Sequence, residues 1–197
     1  MLGSTVLAAV IAVMIRRAAL GPAPLFVPQY SFTHPSELLL FALLGLAGGA
    51  ASAVLTRLLA PIRSVAGRIP RRGPIDLVTV TGGAVAGALA LLAPRILGVG
   101  YSSVNDALNG QLVLKVLLLL FSLKLLATAI AFSCGNSGGL FAPSLFIGAM
   151  LGGSIGAIGA HYFPKQVVDP GTFALVGMGV TFAGIIRRPN HIILHDL

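Results

Sequence analysis

The stretch Gly135–Asn–Ser–Gly–Gly–Leu–Phe–Ala–Pro–Ser–Leu–Phe–Ile–Gly–Ala149 is a glycine-rich break set between two apolar segments. Gly138 and Gly139 release the backbone from helical φ/ψ. Pro143 suits the first turn of a new helix, where a residue without an N–H is tolerated. The N–H groups at that start, with Leu140, Phe141 and Ala142 as candidates, have no intrahelical partner and sit at the positive end of the helix dipole. At membrane depth such a break is tolerated only where it lines protein or a wet cavity. A half-helix start aimed into a cavity is a neutral anion-binding site, so anion movement is the first functional expectation.

Composition supplies the membrane half of this reading. Hydrophobic residues make up 56% of the chain and charged residues only 9%, with a mean hydropathy of +0.98, more apolar surface than a soluble domain needs. The 13 Lys and Arg against 5 Asp and Glu gather mostly in loops, which reads as topology and lipid contact rather than nucleic-acid binding. No basic face interleaved with aromatics argues otherwise. The single cysteine, Cys134, excludes an internal disulfide framework and a cysteine-rich metal site; a small buried thiol is the expectation for it. No cofactor, metal site or enzymatic chemistry is expected.

Apolar segments run over 4–15, 36–60, 75–98, 112–133, 141–162 and 171–186. A full span takes roughly 20 apolar residues, and several of these qualify. The first is short, and Arg16–Arg17 follow its apolar run instead of preceding it, which argues for a shortened transmembrane helix over a signal peptide. Arg57, Arg63, Arg68, Arg71 and Arg72 precede the first acid of that region, Asp76, so the positive-inside rule puts this loop in the cytoplasm. The 20–35 loop, with its four prolines and Tyr30, then lies on the opposite side. Gly45/Gly49, Gly83/Gly87, Gly148/Gly152 and Gly152/Gly156 are G-x-x-x-G pairs, the spacing that lets helix backbones approach in lipid. Together they predict a compact bundle. Tyr101–Gly110 reads as a small amphipathic helix or re-entrant piece between spans.

Ser137–Gly–Gly–Leu–Phe–Ala–Pro–Ser–Leu–Phe–Ile–Gly–Ala149 resembles the G-x-F-x-P anion-selectivity segment of the CLC family of chloride channels and chloride/proton antiporters. Leu97–Gly–Val–Gly–Tyr101 resembles that family's glycine-rich turn before a short helix. Lys124–Leu–Leu–Ala–Thr128 fits the helix leading to the selectivity loop, and Gly171–Gly179 with Ala183–Pro189 resembles the following helix and its R-A-P turn. The resemblance runs over about positions 1–189 in order. It implies an all-α polytopic membrane bundle with broken and re-entrant helices, transport of chloride-like monovalent anions, contact with membrane lipid and a homodimeric complete parent. Nucleic acid is not an implied partner. Its anion-binding residues map onto Ser137, Gly138, Gly139, Leu140, Phe141, Ala142 and Pro143, with Lys124 a candidate vestibule residue. A multi-pass protein of the bacterial plasma membrane is the implied localisation.

The resemblance also defines what this stretch lacks. The family is built from two inverted halves, and residues 1–20 resemble the end of the first while 36–189 resemble most of the second. The G-S-G-I-P and G-K/R-E-G-P motifs, the proton-transfer glutamate and the closing tyrosine of the last helix are not found here. Channel and antiporter therefore both stay open. Residues 190–197 depart abruptly from the family pattern, and His195–Asp–Leu can be encoded by codons that spell Met–Ile–Phe one nucleotide on; a frameshift or fragmentary reading frame is the expected cause.

Each highlighted residue also has a plainer reading. The Leu140 and Phe141 side chains can serve core packing, since the functional claim rests on their N–H groups. Lys124, in mid-segment, is costly unless it faces water or a partner, which leaves open a pore vestibule and a hydrogen bond to backbone carbonyls. Lys115 is expected to snorkel, Arg187 and Arg188 to mark a membrane boundary, and His161, beside Tyr162–Lys165, to anchor at the interface. The rival function is an intramembrane serine protease of rhomboid type, with Ser137 of Gly135–Asn–Ser–Gly138 as nucleophile and His161 as base. A dyad needs hydrogen-bond reach, but His161 lies near 30 Å along the next helix at 1.5 Å per residue. The third alternative is an inactive truncated fragment.

Overall fold

The computed structural model describes residues 11, 12, 14, 15, 18, 19, 21, 37–67, 77–136, 139–163 and 169–186. In order they form α1 (Glu37–Ala66), α2 (Leu77–Leu92), a 3-10 turn (Pro94–Ile96), α3 (Tyr101–Leu108), α4 (Leu114–Ser133), α5 (Phe141–Tyr162) and α6 (Pro170–Ile186). No strand occurs among the described residues, and the expected all-α membrane bundle is what forms. Residues 11, 12, 14, 15, 18 and 19 are helical as well.

Among the described residues, three helices are long and apolar enough to cross a membrane: Leu38–Ala66, Leu114–Ser133 and Phe141–Tyr162. The structure corrects the apolar segment 75–98, which stops as an α-helix at Leu92. Pro94 has no N–H to continue the ladder, and the chain turns through the 3-10 turn instead. The arginine-rich loop is corrected too. α1 runs on through Pro61 to Ala66, so Arg57 and Arg63 lie on a helix, while Arg68, Arg71 and Arg72 fall outside the described residues. Tyr101–Gly110 forms the expected short helix, α3, with Ser103, Val104, Ala107 and Leu108 buried.

α5 is the axis of the bundle. Of its most apolar window 56% is buried, against 28% for α1, and it packs on α6, α4, α1 and α3. Its large side chains, Phe146 and Met150, are fully buried in a core shared with Ile96, Val104, Leu117, Leu120 and Met178. Removing side chains of that size from water is worth roughly 1.5–3 kcal/mol each in an aqueous reference state, but in lipid the gain comes mainly from close packing. α6 lies directly on α5, and Asp169 begins it: its carboxylate accepts from Gly171 N (3.0 Å), Thr172 N (3.1 Å) and Thr172 Oγ1 (2.9 Å). α1 is tied to α6 by Ser52, whose hydroxyl donates to Thr181 O at 3.1 Å and to Gly48 O at 2.8 Å.

The expected glycine pairs divide. Gly148, Gly152 and Gly156 pack against α6 so closely that a Cβ on them would meet its backbone at 2.3, 2.0 and 2.9 Å. Among the described residues, Gly45, Gly49 and Gly87 have nothing within 4 Å of such a Cβ, and Gly83 only the Asn136 amide at 3.6 Å. On α1 the packed glycine is Gly48, against Val180.

Candidate anion site at the broken helix

The break begins with an ordered helix ending. Gly135 takes the left-handed conformation (φ 78°), which costs glycine no Cβ clash. Its N–H donates to Phe132 O (3.2 Å) and that of Asn136 to Ala131 O (3.1 Å), the paired bonds of a Schellman ending. Gly139 lies outside any helix without a positive φ, and among the described residues of the break the left-handed conformation is taken by Gly135. Ser137 and Gly138 lie outside the described residues.

Neighbouring helices hold this ending in place. The Asn136 amide donates to Thr79 O (3.0 Å) and accepts from Gly83 N (3.2 Å) in the orientation that satisfies both groups. The Thr79 hydroxyl donates to Cys134 O at 3.1 Å. Cys134 is a buried thiol pressed on Gly82, where a Cβ would lie 2.3 Å from its own Cβ. The cysteine is structural, as expected.

α5 starts beyond the break without a side-chain cap, its N-cap Leu140 being already near-helical (φ −82°, ψ −8°). The N–H groups of the first turn lack intrahelical acceptors by helix geometry. Pro143 is the third residue of α5, where its missing N–H is harmless. Among the described residues, a Cβ on Gly139 would meet only Phe141 N, at 3.9 Å, an ordinary van der Waals distance.

Two cavities flank this start. The larger, about 610 Å³, is lined by Gly139, Ala142 and Pro143 together with Gly83 and Gly87 of α2, Ile96–Val99, and Lys124, Thr128 and Asn136. The smaller, about 190 Å³, is lined by Leu140, Phe141 and Ser144 with Phe182, Ile185 and Ile186 of α6. Phe141 and Phe182 meet edge to face there, centroids 4.9 Å apart. The described candidate residues thus fall on two sides of one helix start.

Lys124 is 5% exposed. Its ammonium donates to Ile96 O and Gly98 O, both at 2.6 Å, and lies 5.1 Å from the centroid of the Phe146 ring. The hydrogen bond to carbonyls is therefore present, and the same side chain lines the larger cavity. The turn it holds is shaped by Gly100 (φ 72°), where a Cβ would fall 2.4 Å from the Phe146 ring.

Asn136, Thr128 and Phe182 were not among the residues the sequence singled out. The Gly–Asn pair after a long apolar run signals a helix ending, but nothing in sequence says that α2 answers the Asn136 amide. His161 lies in the last turn of α5, exposed, its ring against Tyr162. Phe141, the first residue of that helix, is at the opposite end.

Irregular backbone within an apolar bundle needs protein or a wet cavity around it, and the break here has packed helices and two cavities beside it. The architecture is that of the broken-helix membrane proteins. The family model described as voltage gated chloride channel matches residues 1–194, and the chain belongs to this family, the CLC family. It is similar to the H(+)/Cl(-) exchange transporter ClcA of Vibrio campbellii, with 32% identity over 190 residues, covering 94% of this chain and 40% of the relative. Proteins of the same name from Cronobacter sakazakii and Yersinia pestis are 36% and 34% identical, covering 76% and 78% of this chain and 32% and 33% of the relatives. The chain thus spans 32–40% of the length of these relatives.

Proposed function

We propose that this chain contributes part of the path of a transporter of chloride-like monovalent anions, working as a channel or as a chloride/proton antiporter. Backbone amides at the start of α5 replace part of the anion's hydration. The observation that carries this reading is the uncapped start of α5 at Phe141, with a cavity of about 610 Å³ lined by Gly139, Ala142 and Pro143 beside it. Partial charge at a helix end holds an anion weakly enough to release it, whereas a free buried cation traps it. Membership of the family and the printed names of the ClcA relatives support chloride as the substrate.

In this reading residues 36–189 form most of a second inverted half and 1–20 the end of a first. The complete parent is a lipid-embedded homodimer of the bacterial plasma membrane, with the α1–α2 connection on the cytoplasmic side. A thiol introduced at Ser64 and labelled only from the cytoplasm would agree with that topology; labelling from outside intact cells would reverse it. The site itself is tested by titrating ¹⁵N-labelled protein in detergent with chloride. Saturable shifts of the Leu140, Phe141 and Ala142 amides are expected, and amides that stay still while distant ones respond equally would overturn the assignment.

A further inference from the structure

Two arginines stand on the outer face of α1 with no acid paired to them among the described residues. Arg57 and Arg63 are both exposed, on a helix long and apolar enough to cross the membrane. Asp106 is engaged by Arg95 at 3.7 Å, and Asp169 holds the start of α6. Glu37 begins α1, ~30 Å from Arg57 at 1.5 Å per residue. Asp76 and Asp196 lie outside the described residues. Arg63, in the last turn of α1, has a local use, because a cation there answers the helix dipole. Arg57 lies more than two turns further up, where that effect has faded. Its depth gives it another use. With Glu37 at one boundary, Leu38–Thr56 covers ~28 Å, close to the ~30 Å of a bilayer's hydrocarbon core. Arg57 therefore comes where the hydrocarbon ends, and Arg63 stands among the headgroups.

We infer that Arg57 and Arg63 form a docking site for the phosphate of an anionic glycerophospholipid of the phosphatidylglycerol class. The site needs α1 in the bilayer and does not depend on the anion path. Arg57, Ala60 and Arg63 follow one another at i, i+3 and i+6, neighbours on the helix surface. Ala60 between them is exposed and carries only a methyl, so both guanidinium forks can close on one phosphate above it. Pro61 brings no N–H to the Arg57 carbonyl, which gives a glycerol hydroxyl of the headgroup an acceptor in the same step. Val54 and Val65, 48% and 62% exposed, offer apolar surface to the lipid on either side. The opposite face is fixed: Leu55 and Leu59 are buried with Leu125, Ala129 and Ile147, and the Ser133 hydroxyl donates to Leu59 O at 3.1 Å. The arginine pair is thus carried by a packed helix. A choline headgroup brings its own cation to the two arginines and is disfavoured there; an anionic headgroup gains from both.

The chain has no tryptophan, which makes a site-specific test direct. Val54→Trp places one fluorophore a turn from Arg57, and Leu119→Trp, at an exposed position of α4, places one elsewhere on the lipid-facing surface. Each full-length variant is reconstituted in phosphatidylcholine vesicles, and quenching by phosphatidylglycerol with brominated acyl chains is compared with quenching by brominated phosphatidylcholine. At Val54→Trp the anionic lipid should be preferred roughly fivefold or more, the contribution of one arginine at a membrane surface; at Leu119→Trp the two lipids should quench alike. Adding Arg57→Gln and Arg63→Gln to Val54→Trp should abolish the preference, whereas Lys115→Gln, removing an exposed cation of α4, should leave it. Helix content by circular dichroism confirms that both arginine positions tolerate the change. Equal quenching by the two lipids at Val54→Trp, a preference that survives loss of both arginines, or one as large at Leu119→Trp would each overturn the site. Excess inorganic phosphate at constant ionic strength should not displace the lipid; displacement would assign the arginines to a free phosphate and overturn the lipid reading.

Discussion

Gly148, Gly152 and Gly156 on α5 and Gly45, Gly49 and Gly87 on α1 and α2 belong to the same small-residue pattern, yet they do opposite things. The first three are crossed by the α6 backbone, where even a methyl group has no room. The other three meet no described residue within 4 Å of a Cβ position. Small residues permit close approach but do not cause it; a facing element must also be small at the matching height. Gly177 supplies that for Gly148, its carbonyl lying 2.3 Å from the Cβ position. The α5–α6 contact is consequently the closely packed half of the described residues, and the α2 side is the half that leaves a cavity.

The largest effect that separates the two halves is expected for Gly152→Val. Its side chain must displace the Phe173 carbonyl, a backbone group that cannot rotate aside, and a loss of about 3 kcal/mol is expected. Thermal unfolding in detergent reads it, and a wild-type midpoint would show that α6 is not held as described. On the cavity side Lys124→Met comes next. It leaves the Ile96 and Gly98 carbonyls without their donor, at about 1–3 kcal/mol each, partly offset because a buried charge is also removed. A net loss of about 2 kcal/mol is expected, with faster proteolysis in the 95–101 turn as its local signature; Lys115→Met, on an exposed position, is the control.

Asp169→Ala probes the closely packed half from another side, since it strips the start of α6 of three accepted hydrogen bonds. About 1 kcal/mol is expected, measurable in the same unfolding assay, and no change would mean that packing alone places α6. Gly139→Ala should scarcely alter stability, within about 0.5 kcal/mol, because its Cβ has room. It should nonetheless weaken the chloride-induced shift of the Phe141 amide, which the methyl would crowd. Equal binding in that variant would place the anion elsewhere. Gly45→Ala, whose Cβ would meet no described residue within 4 Å, should stay within about 0.5 kcal/mol of wild type; a large loss there would erase the distinction between the two sets of glycines.

Much of the fold was legible before any coordinates. Apolar runs and helix-ending residues marked α4, α5 and α6, and the start of α1, to within a few positions, because in an apolar bundle backbone groups must be satisfied within each segment. The amphipathic pattern of 101–110 likewise marked α3. The extent of α1 past Pro61 was not legible. A proline forfeits one ladder bond, and whether a helix survives that depends on what packs around it. Nor was the choice of Gly135 over Gly139 as the left-handed residue: both are glycines, and only the bonds to Phe132 O and Ala131 O distinguish them.

The amino-acid order alone determined that this chain is helical, belongs at a membrane, and carries a break marked by glycines and a proline between two apolar segments. Those properties follow from local chemistry: hydropathy over a bilayer's thickness, missing N–H groups and residues without a Cβ. The tertiary structure alone decided which glycines touch a neighbour and that the Asn136 amide spans to α2. It also split the candidate anion residues between two cavities, and bound Lys124 to two carbonyls while leaving it on a cavity wall. Each of these pairs residues distant in sequence, such as Lys124 with Ile96 or Gly152 with Phe173. Distance in space between such partners is set by how whole helices cross, which no single segment encodes.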